Sequence, residues 1–353
     1  MPSISKGAKV LVTGVNGYIP MWVVRILLER GYAVRATVRT AEKIGYIKDY
    51  FAKRGFGDDK LEFVVVDDIV KDGAFDEAVM GVDAIEHMAS PFHYSVKDPQ
   101  DFIRPAVQGT VGILKSASKY GANVKRIVVT SSTAAIITPW TKPPPAKYSE
   151  VDWNTSSPGL VEELGDKTPS AEIYKASKTL AEKAAWEFHE KVKSEIGWDL
   201  AVINPTFVFG PPIHEIGSIS SLNTSLALWY NNIFPKTPKT KEEVLQSLTW
   251  VDVRDTALAH VLALETPGAG GQRFIACAGS FIWQEYLDAL NSLSKNPLPS
   301  HEIPKGFPEV SAGEKKYGVI YASTKVKDVL GFDWTSLADS ARDTLTEFAA
   351  RGW

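Results

Sequence analysis

One cysteine, Cys277, in a chain of 353 residues leaves no partner for an intrachain disulfide and no cysteine cluster for a metal, which points to a reducing compartment. The six histidines are scattered without the close spacing of a zinc site, and no Gly-x-Ser-x-Gly turn presents a nucleophilic serine, so metal-dependent and serine-hydrolase chemistry are poor fits. Neither sign of charge is in excess. The 39 basic and 42 acidic residues give a formal net charge of −3, with no global attraction to nucleic acid or to an anionic membrane. No apolar run approaches the roughly 18 residues of a membrane span. The first strand pattern starts within about ten residues of the N-terminus, which leaves no room for a secretory signal. The expectation is a soluble cytoplasmic protein that acts on a small molecule.

What is present begins with Lys9-Val10-Leu11-Val12, a short buried strand, followed by Thr13-Gly14-Val15-Asn16-Gly17-Tyr18-Ile19-Pro20 and the amphipathic run Met21 to Leu28. Gly14 and Gly17 allow a tight turn and close approach of the backbone to a ligand, and the helix that follows aims its unpaired N–H groups at that ligand. A pyrophosphate fits this description, with Thr13, Gly14, Asn16, Gly17, Tyr18 and Ile19 around it. A second strand, Tyr32 to Val38, ends at Arg39, with Lys43 one helical turn on and no acid at the tip. In a dinucleotide-binding sheet this tip faces the adenosine ribose, where a cation accommodates a 2′-phosphate, so Arg39 and Lys43 point to NADP. The plain alternative is that Arg39 is a solvated surface cation.

Leu61 to Val66 reads as a third strand running into Asp67-Asp68-Ile69, where Asp68 and Ile69 suit the adenine edge and Asp68 serves equally well as a helix cap. A fourth strand from Asp83 ends in Ala89-Ser90-Pro91, small residues that open the sheet toward the cofactor; His87 on that strand reads as a packed core histidine. A helix from about Pro105 to Tyr120 precedes the fifth strand, Arg126 to Thr130, which delivers Ser131-Ser132-Thr133. Alternating strands and helices imply an α/β fold with a doubly wound parallel sheet of the Rossmann type, whose ligands bind at the carboxyl ends of the strands. After Gly210 the rhythm weakens into proline-rich connections and short helices. It returns at Thr249 to Asp255, a helix to about Leu264 and the strand Arg273 to Ala276. The expected sheet domain is 1–205 plus about 245–278, and 206–244 plus 279–353 form a smaller C-terminal substrate lobe.

Tyr174 and Lys178 stand four apart on a long helix that runs to about Lys193, and so share a face. A phenol is a poor acid at neutral pH until a nearby ammonium favours its phenolate. Ser132, arriving from a neighbouring strand, can hydrogen-bond the same substrate oxygen. Tyr174 as acid, Lys178 as its activator and Ser132 as the orienting hydroxyl make a catalytic set for reducing a carbonyl.

These residues, Thr13-Gly14-x-x-Gly17, Thr130-Ser131-Ser132, Tyr174-x-x-x-Lys178 and Asn204-Pro205-x-x-Val208-x-Gly210-Pro211, resemble the extended short-chain dehydrogenase/reductases over essentially the whole chain. More narrowly, Arg35-Ala36-Thr37-Val38-Arg39, Ala89-Ser90-Pro91-Phe92, the run Ala181 to Phe188 and Gly271-Gln272-Arg273 are similar to the fungal NADPH-dependent carbonyl reductases of methylglyoxal and aldehydes, cousins of plant dihydroflavonol and cinnamoyl-CoA reductases. The resemblance implies hydride transfer from NADPH to a carbonyl carbon, a proton from Tyr174, and Lys178 on the nicotinamide ribose. It also implies cofactor contacts at Thr130, Pro205 and Val208, and Phe92, Thr133 and Phe207 beside Ser132 and Tyr174 in the substrate pocket. It leaves a monomer or homodimer open. Three features depart from the family: Pro20 replaces a small residue, Trp22 follows it, and 105–112 contains no asparagine for a proton relay. A nucleotide-sugar epimerase or dehydratase of the same fold and a non-catalytic NADP-binding regulator are the competing functions.

Overall fold

The structure is a computed structural model and describes residues 3–90, 98–138, 143–313, 315–322 and 324–353. Pro91 and Phe92 lie outside the described residues. The first half of the chain alternates β1 (Lys9–Val12), α1 (Tyr18–Glu29), β2 (Ala33–Val38), α2 (Ile44–Ala52), β3 (Leu61–Val65), β4 (Ala84–His87), α3 (Gln100–Tyr120) and β5 (Arg126–Thr130). A short strand β6 (Ala146–Tyr148), α4 (Ser156–Leu164) and the long α5 (Ser170–Val192) follow, leading into β7 (Asp199–Pro205).

The remainder comprises β8 (Phe207–Phe209), α6 (Thr224–Ile233), α7 (Lys241–Val244), β9 (Ser247–Asp252), α8 (Val253–Glu265), β10 (Arg273–Ala276), β11 (Gly279–Ile282), α9 (Trp283–Asn291), β12 (Val319–Tyr321) and α10 (Leu337–Ala350).

Seven strands form one sheet in the order β3-β2-β1-β4-β5-β7-β10, and every pairing in it is parallel. The chain moves outward from β1 to β3, then returns to β4 on the other side of β1. The connections that leave β1 and β4 therefore diverge, and a crevice opens at their carboxyl ends. Alternation along β1 assigns the faces: Val10 and Val12 pack with α1, α2 and α8, whereas Leu11 packs with α3 and α5. Arg126 and Asp199, both buried, clamp β5 to β7 through a bidentate pair at the opposite end of the sheet.

The strand over 247–252 lies in a second sheet, parallel to β8 and antiparallel to β11, while α8 and β10 after it return to the central sheet. Strand alternation alone does not say which sheet a strand joins. A third sheet pairs β6 with β12. The C-terminal part has its own aromatic core, in which Phe209, Phe281, Trp283 and Tyr286 meet edge to face. Among the described residues no helix is long and apolar enough to cross a membrane.

Candidate active site

At the end of β1 the backbone makes the turn and side chains only brace it. Gly14 sits at φ +70°, and a Cβ there would lie 3.2 Å from the Ala89 Cα, so only glycine fits without strain. Two threonines, Thr13 just beyond β1 and Thr37 near the end of β2, fix the geometry. The Thr37 hydroxyl accepts from the Gly14 N–H at 3.2 Å, and the Thr13 hydroxyl accepts from the N–H groups of Met88 and Ala89 at 2.9 Å each. Thr13 thereby ties the glycine turn to the Ala89-Ser90 turn across the crevice.

Gly17 precedes α1 without a side-chain cap and the first turn carries no acid, so among the described residues the Tyr18 and Ile19 N–H groups remain free at the positive end of the helix. Pro20 occupies the third helical position, where its missing N–H removes one such donor and leaves the helix intact. Tyr18 points its hydroxyl elsewhere, to the Gly210 carbonyl at 2.7 Å, and Trp22 Nε1 donates to the Pro211 carbonyl at 2.9 Å. Trp22 therefore staples α1 to the loop that follows β8.

Arg39 is exposed at the tip of β2 with no ion pair among the described residues, whereas the Lys43 ammonium sits on Glu215 at 2.9 Å. Asn16 is exposed in the turn. The Asp68 carboxylate accepts from the Val70 N–H at 3.0 Å, so it caps its own turn, and Ile69 packs against Gly109 of α3. The glycine cradle, the uncapped helix start and the unpaired guanidinium together fit a dinucleotide with a phosphorylated ribose.

At the carboxyl ends of β4 and β5, α5 closes the crevice. Lys178 extends into a narrow recess lined by His87, Ala89, Ser90, Thr110, Val129, Thr130, Ser131, Ala181 and Glu182. Its ammonium lies 3.2 Å from the Ser90 hydroxyl and 6.0 Å from the centroid of the Tyr174 ring. Burial lowers its pKa to about 8, against the opposing pull of Glu182. His87 is buried as read from the sequence, yet it also forms a wall of this recess: its Nδ1 lies 3.1 Å from the Thr13 hydroxyl and its Nε2 has no partner among the described residues. Burial, with Lys178 nearby, pushes it down to about 3, so the ring is neutral.

Ser132 and Tyr174 are not walls of the recess. Ser132 caps a single 3-10 turn, Thr133–Ala135, against which α5 packs. Its oxygen accepts from the Ala134 N–H at 3.1 Å, which leaves the hydroxyl proton free to donate. Tyr174 packs edge to face with Phe102 of α3, centroids 6.4 Å apart. The Thr133 hydroxyl donates to the Pro205 carbonyl at 3.3 Å; Pro205 and Val208 are buried, and Phe207 is 37% exposed and stacked on Phe209.

Sequence reasoning assigned no role to Glu182 and Arg273, which the structure joins behind the recess at 2.6 Å. The available signal was that Glu182 follows Lys178 at helical spacing. Asn204, noted only as part of a motif, donates to the Ser132 carbonyl at 3.2 Å and to Glu182 at 2.8 Å.

Residues 10–277 match the model of the NAD dependent epimerase/dehydratase family. The chain belongs to that family. Ketoreductase azaE of Aspergillus niger is 36% identical, with 98% of each chain covered. NADPH-dependent methylglyoxal reductase GRE2 of Saccharomyces cerevisiae is 34% identical over 96% of this chain and 97% of its own. The crystal structure of yeast methylglyoxal/isovaleraldehyde reductase Gre2 complexed with NADPH superposes with a TM-score of 0.82 at 31% identity, covering 98% of this chain and 99% of that one.

Proposed function

We propose that this member of the family is an NADPH-dependent reductase of aldehydes and ketones, in which Ser132, Tyr174 and Lys178 carry the chemistry. The observation that bears most weight is the Lys178 ammonium, held in the crevice 6.0 Å from the Tyr174 ring and 3.2 Å from the Ser90 hydroxyl. NADPH, held by the residues named below, would supply the hydride for the carbonyl carbon. The free Ser132 proton orients the substrate oxygen, Tyr174 donates the proton that turns it into a hydroxyl, and the Lys178 charge favours the phenolate left behind. The turn from Thr13 to Ile19 holds the pyrophosphate, Arg39 meets the 2′-phosphate, and Thr130, Pro205 and Val208 border the nicotinamide, while Thr133 and Phe207 shape the substrate side. In this reading 1–205 with about 245–278 carry the cofactor and the remaining segments close over the carbonyl compound. The single buried cysteine suits the reducing cytoplasm, and the reading leaves a monomer or a homodimer open.

NADPH oxidation with a panel of α-dicarbonyls, β-keto esters, aryl ketones and aldehydes tests the reading. Tyr174→Phe should lower kcat by about 10³-fold, within the span of general acid catalysis, and leave NADPH binding nearly unchanged. Undiminished turnover in that variant removes Tyr174 from the mechanism. Arg39→Ala should raise the KM for NADPH at least about tenfold, as expected for a lost charge-assisted contact, and leave that for NADH nearly as it was. Equal effects on both show that Arg39 does not read the 2′-phosphate. An epimerase or dehydratase would instead be isolated with stoichiometric NAD.

A further inference from the structure

Glu182 stands one helical turn beyond Lys178 and two beyond Tyr174, on the same face of α5. The residue is only 1% exposed. Its carboxylate accepts from Ser131 Oγ at 2.5 Å, Arg273 Nε at 2.6 Å, Asn204 Nδ2 at 2.8 Å and Trp186 Nε1 at 3.4 Å, so β5, β7, β10 and α5 converge on it. Arg273 is held in turn by the Glu150 and Asp152 carbonyls at 2.7 and 2.8 Å and lies 3.8 Å over the Trp153 ring.

An ion pair taken out of water adds little stability by itself, because desolvation cancels most of its attraction. A buried carboxylate four residues from Lys178 has a second effect, since in a poorly solvated site it opposes removal of any nearby proton. Among the described residues the other groups around Lys178 do not supply this. His87 across the recess is neutral, Ser90 and Thr130 are uncharged, and the Glu86–His260 pair on the far side of Thr130 faces itself at 2.7 Å.

We propose that Glu182 is a positioning residue for the reduction: it keeps the Lys178 ammonium charged beside Tyr174, and through Ser131 and Asn204 it holds the turn that presents Ser132. This rests on the Tyr174 and Lys178 reading above. In that reading the phenol and the ammonium are neighbours, and a negative charge beside such a pair delays the first proton lost whichever group releases it. Deleting that charge moves the first loss to lower pH.

The test is the pH profile of kcat for carbonyl reduction at saturating NADPH. Glu182→Gln should shift the alkaline limb to lower pH by roughly one pH unit or more, as expected when a charge partner at this range is removed. Glu182→Asp, which retains the charge, should keep the limb near its original place. Arg273→Gln, which unmasks the carboxylate while leaving it on Ser131 and Asn204, should move the limb the other way. A Glu182→Gln enzyme with uniformly lower kcat and an unmoved limb overturns the proposal and leaves Glu182 a structural residue. Should Glu182→Gln fail to fold, Arg273→Gln decides: an alkaline shift supports the proposal, and no shift or an acid shift overturns it. Turnover surviving in Tyr174→Phe rejects the underlying chemistry instead, so the two failures are distinguishable.

Discussion

The crevice has two ends made of different material. At the carboxyl end of β1 the turn is backbone: Gly14 at positive φ, free N–H groups at the start of α1 and two threonine hydroxyls as braces. At the carboxyl ends of β4 and β5 the walls are side chains, Lys178, His87 and Glu182 among them, with Arg273 paired to Glu182 from behind. A site of the first kind depends on shape, because its donors come with the helix whatever its side chains are. One of the second kind depends on charge, because each group sets the proton affinity of the next. The difference can be probed by changing shape at one end and charge at the other.

The largest effect at the backbone end is expected from Gly14→Ala. A side chain at φ +70° costs roughly 1–2 kcal/mol, and its Cβ would press on Ala89, whose Cα lies 3.2 Å away. NADPH affinity should fall at least about tenfold, equivalent to 1.4 kcal/mol, while kcat at saturating cofactor changes little. Fluorescence titration of NADPH measures the first and steady-state kinetics the second. An unchanged affinity would detach the glycine turn from the pyrophosphate.

A smaller effect, of the opposite character, is expected at the charged end on acidification. His87, pressed edge to face against Phe75, has its pKa lowered from 6.5 to about 3, and His214 from 6.5 to about 4. Between those values and 6.5 the unfolded chain binds more protons than the folded one, so stability falls as the pH falls, by up to about 1.4 kcal/mol per pH unit for each group. Lys178 works in another window: its folded value of about 8 lies below the ordinary 10.5, and its contribution to stability rises with pH between them. His87→Gln should flatten the acid slope seen in urea unfolding between pH 6.5 and 4. A slope equal to that of the unaltered protein would mean that the folded state already holds the His87 proton. No residue from Thr13 to Ile19 titrates in that range, so at the backbone end the acid slope comes from His214, whose ring lies 5.3 Å from that of Tyr18.

How far the sequence could be read follows the same division. The glycine spacing, the small strand ends and the alternating elements led to a parallel α/β sheet because each is a local pattern with a local physical cause. The Glu182–Arg273 pair has none: its members are 91 residues apart, and Ser131 is 51 residues from Glu182. Glu182 reads as part of a long helix and Arg273 as the start of a strand, and nothing local marks a carboxylate on a helix face as buried rather than solvated. Lys43 adds a second long-range partner. It follows Arg39 by one turn, which points to the same phosphate, and its exposed ammonium also reaches Glu215, 172 residues away. Likewise, the strand over 247–252 has the βα signature of the central sheet and pairs in the second one, because its partner β8 lies in a segment without that rhythm.

Trp22 offers the finest test of whether the backbone end stands alone. It is 8% exposed, donates from Nε1 to the Pro211 carbonyl, and carries the Arg25 guanidinium 4.8 Å from its ring centre. The 210–214 loop is pinned at further points, by Tyr18 on the Gly210 carbonyl, Tyr46 on that of Ile213, and Arg351 on those of Pro212 and His214. Trp22→Phe keeps the apolar contact and deletes one hydrogen bond, a loss of about 1 kcal/mol, or roughly 2 °C in Tm for a chain of this size. Tyr18→Phe deletes the neighbouring bond at a similar cost. If α1 and this loop move as one unit, losing the first bond already loosens the second, and the double variant should fall short of the sum of the singles by about 0.5 kcal/mol or more. Strict additivity in thermal unfolding would show that Tyr46 and Arg351 hold the loop without α1. The glycine turn would then be independent of the segment that follows Val208, and the two ends of the crevice would be coupled only through whatever binds between them.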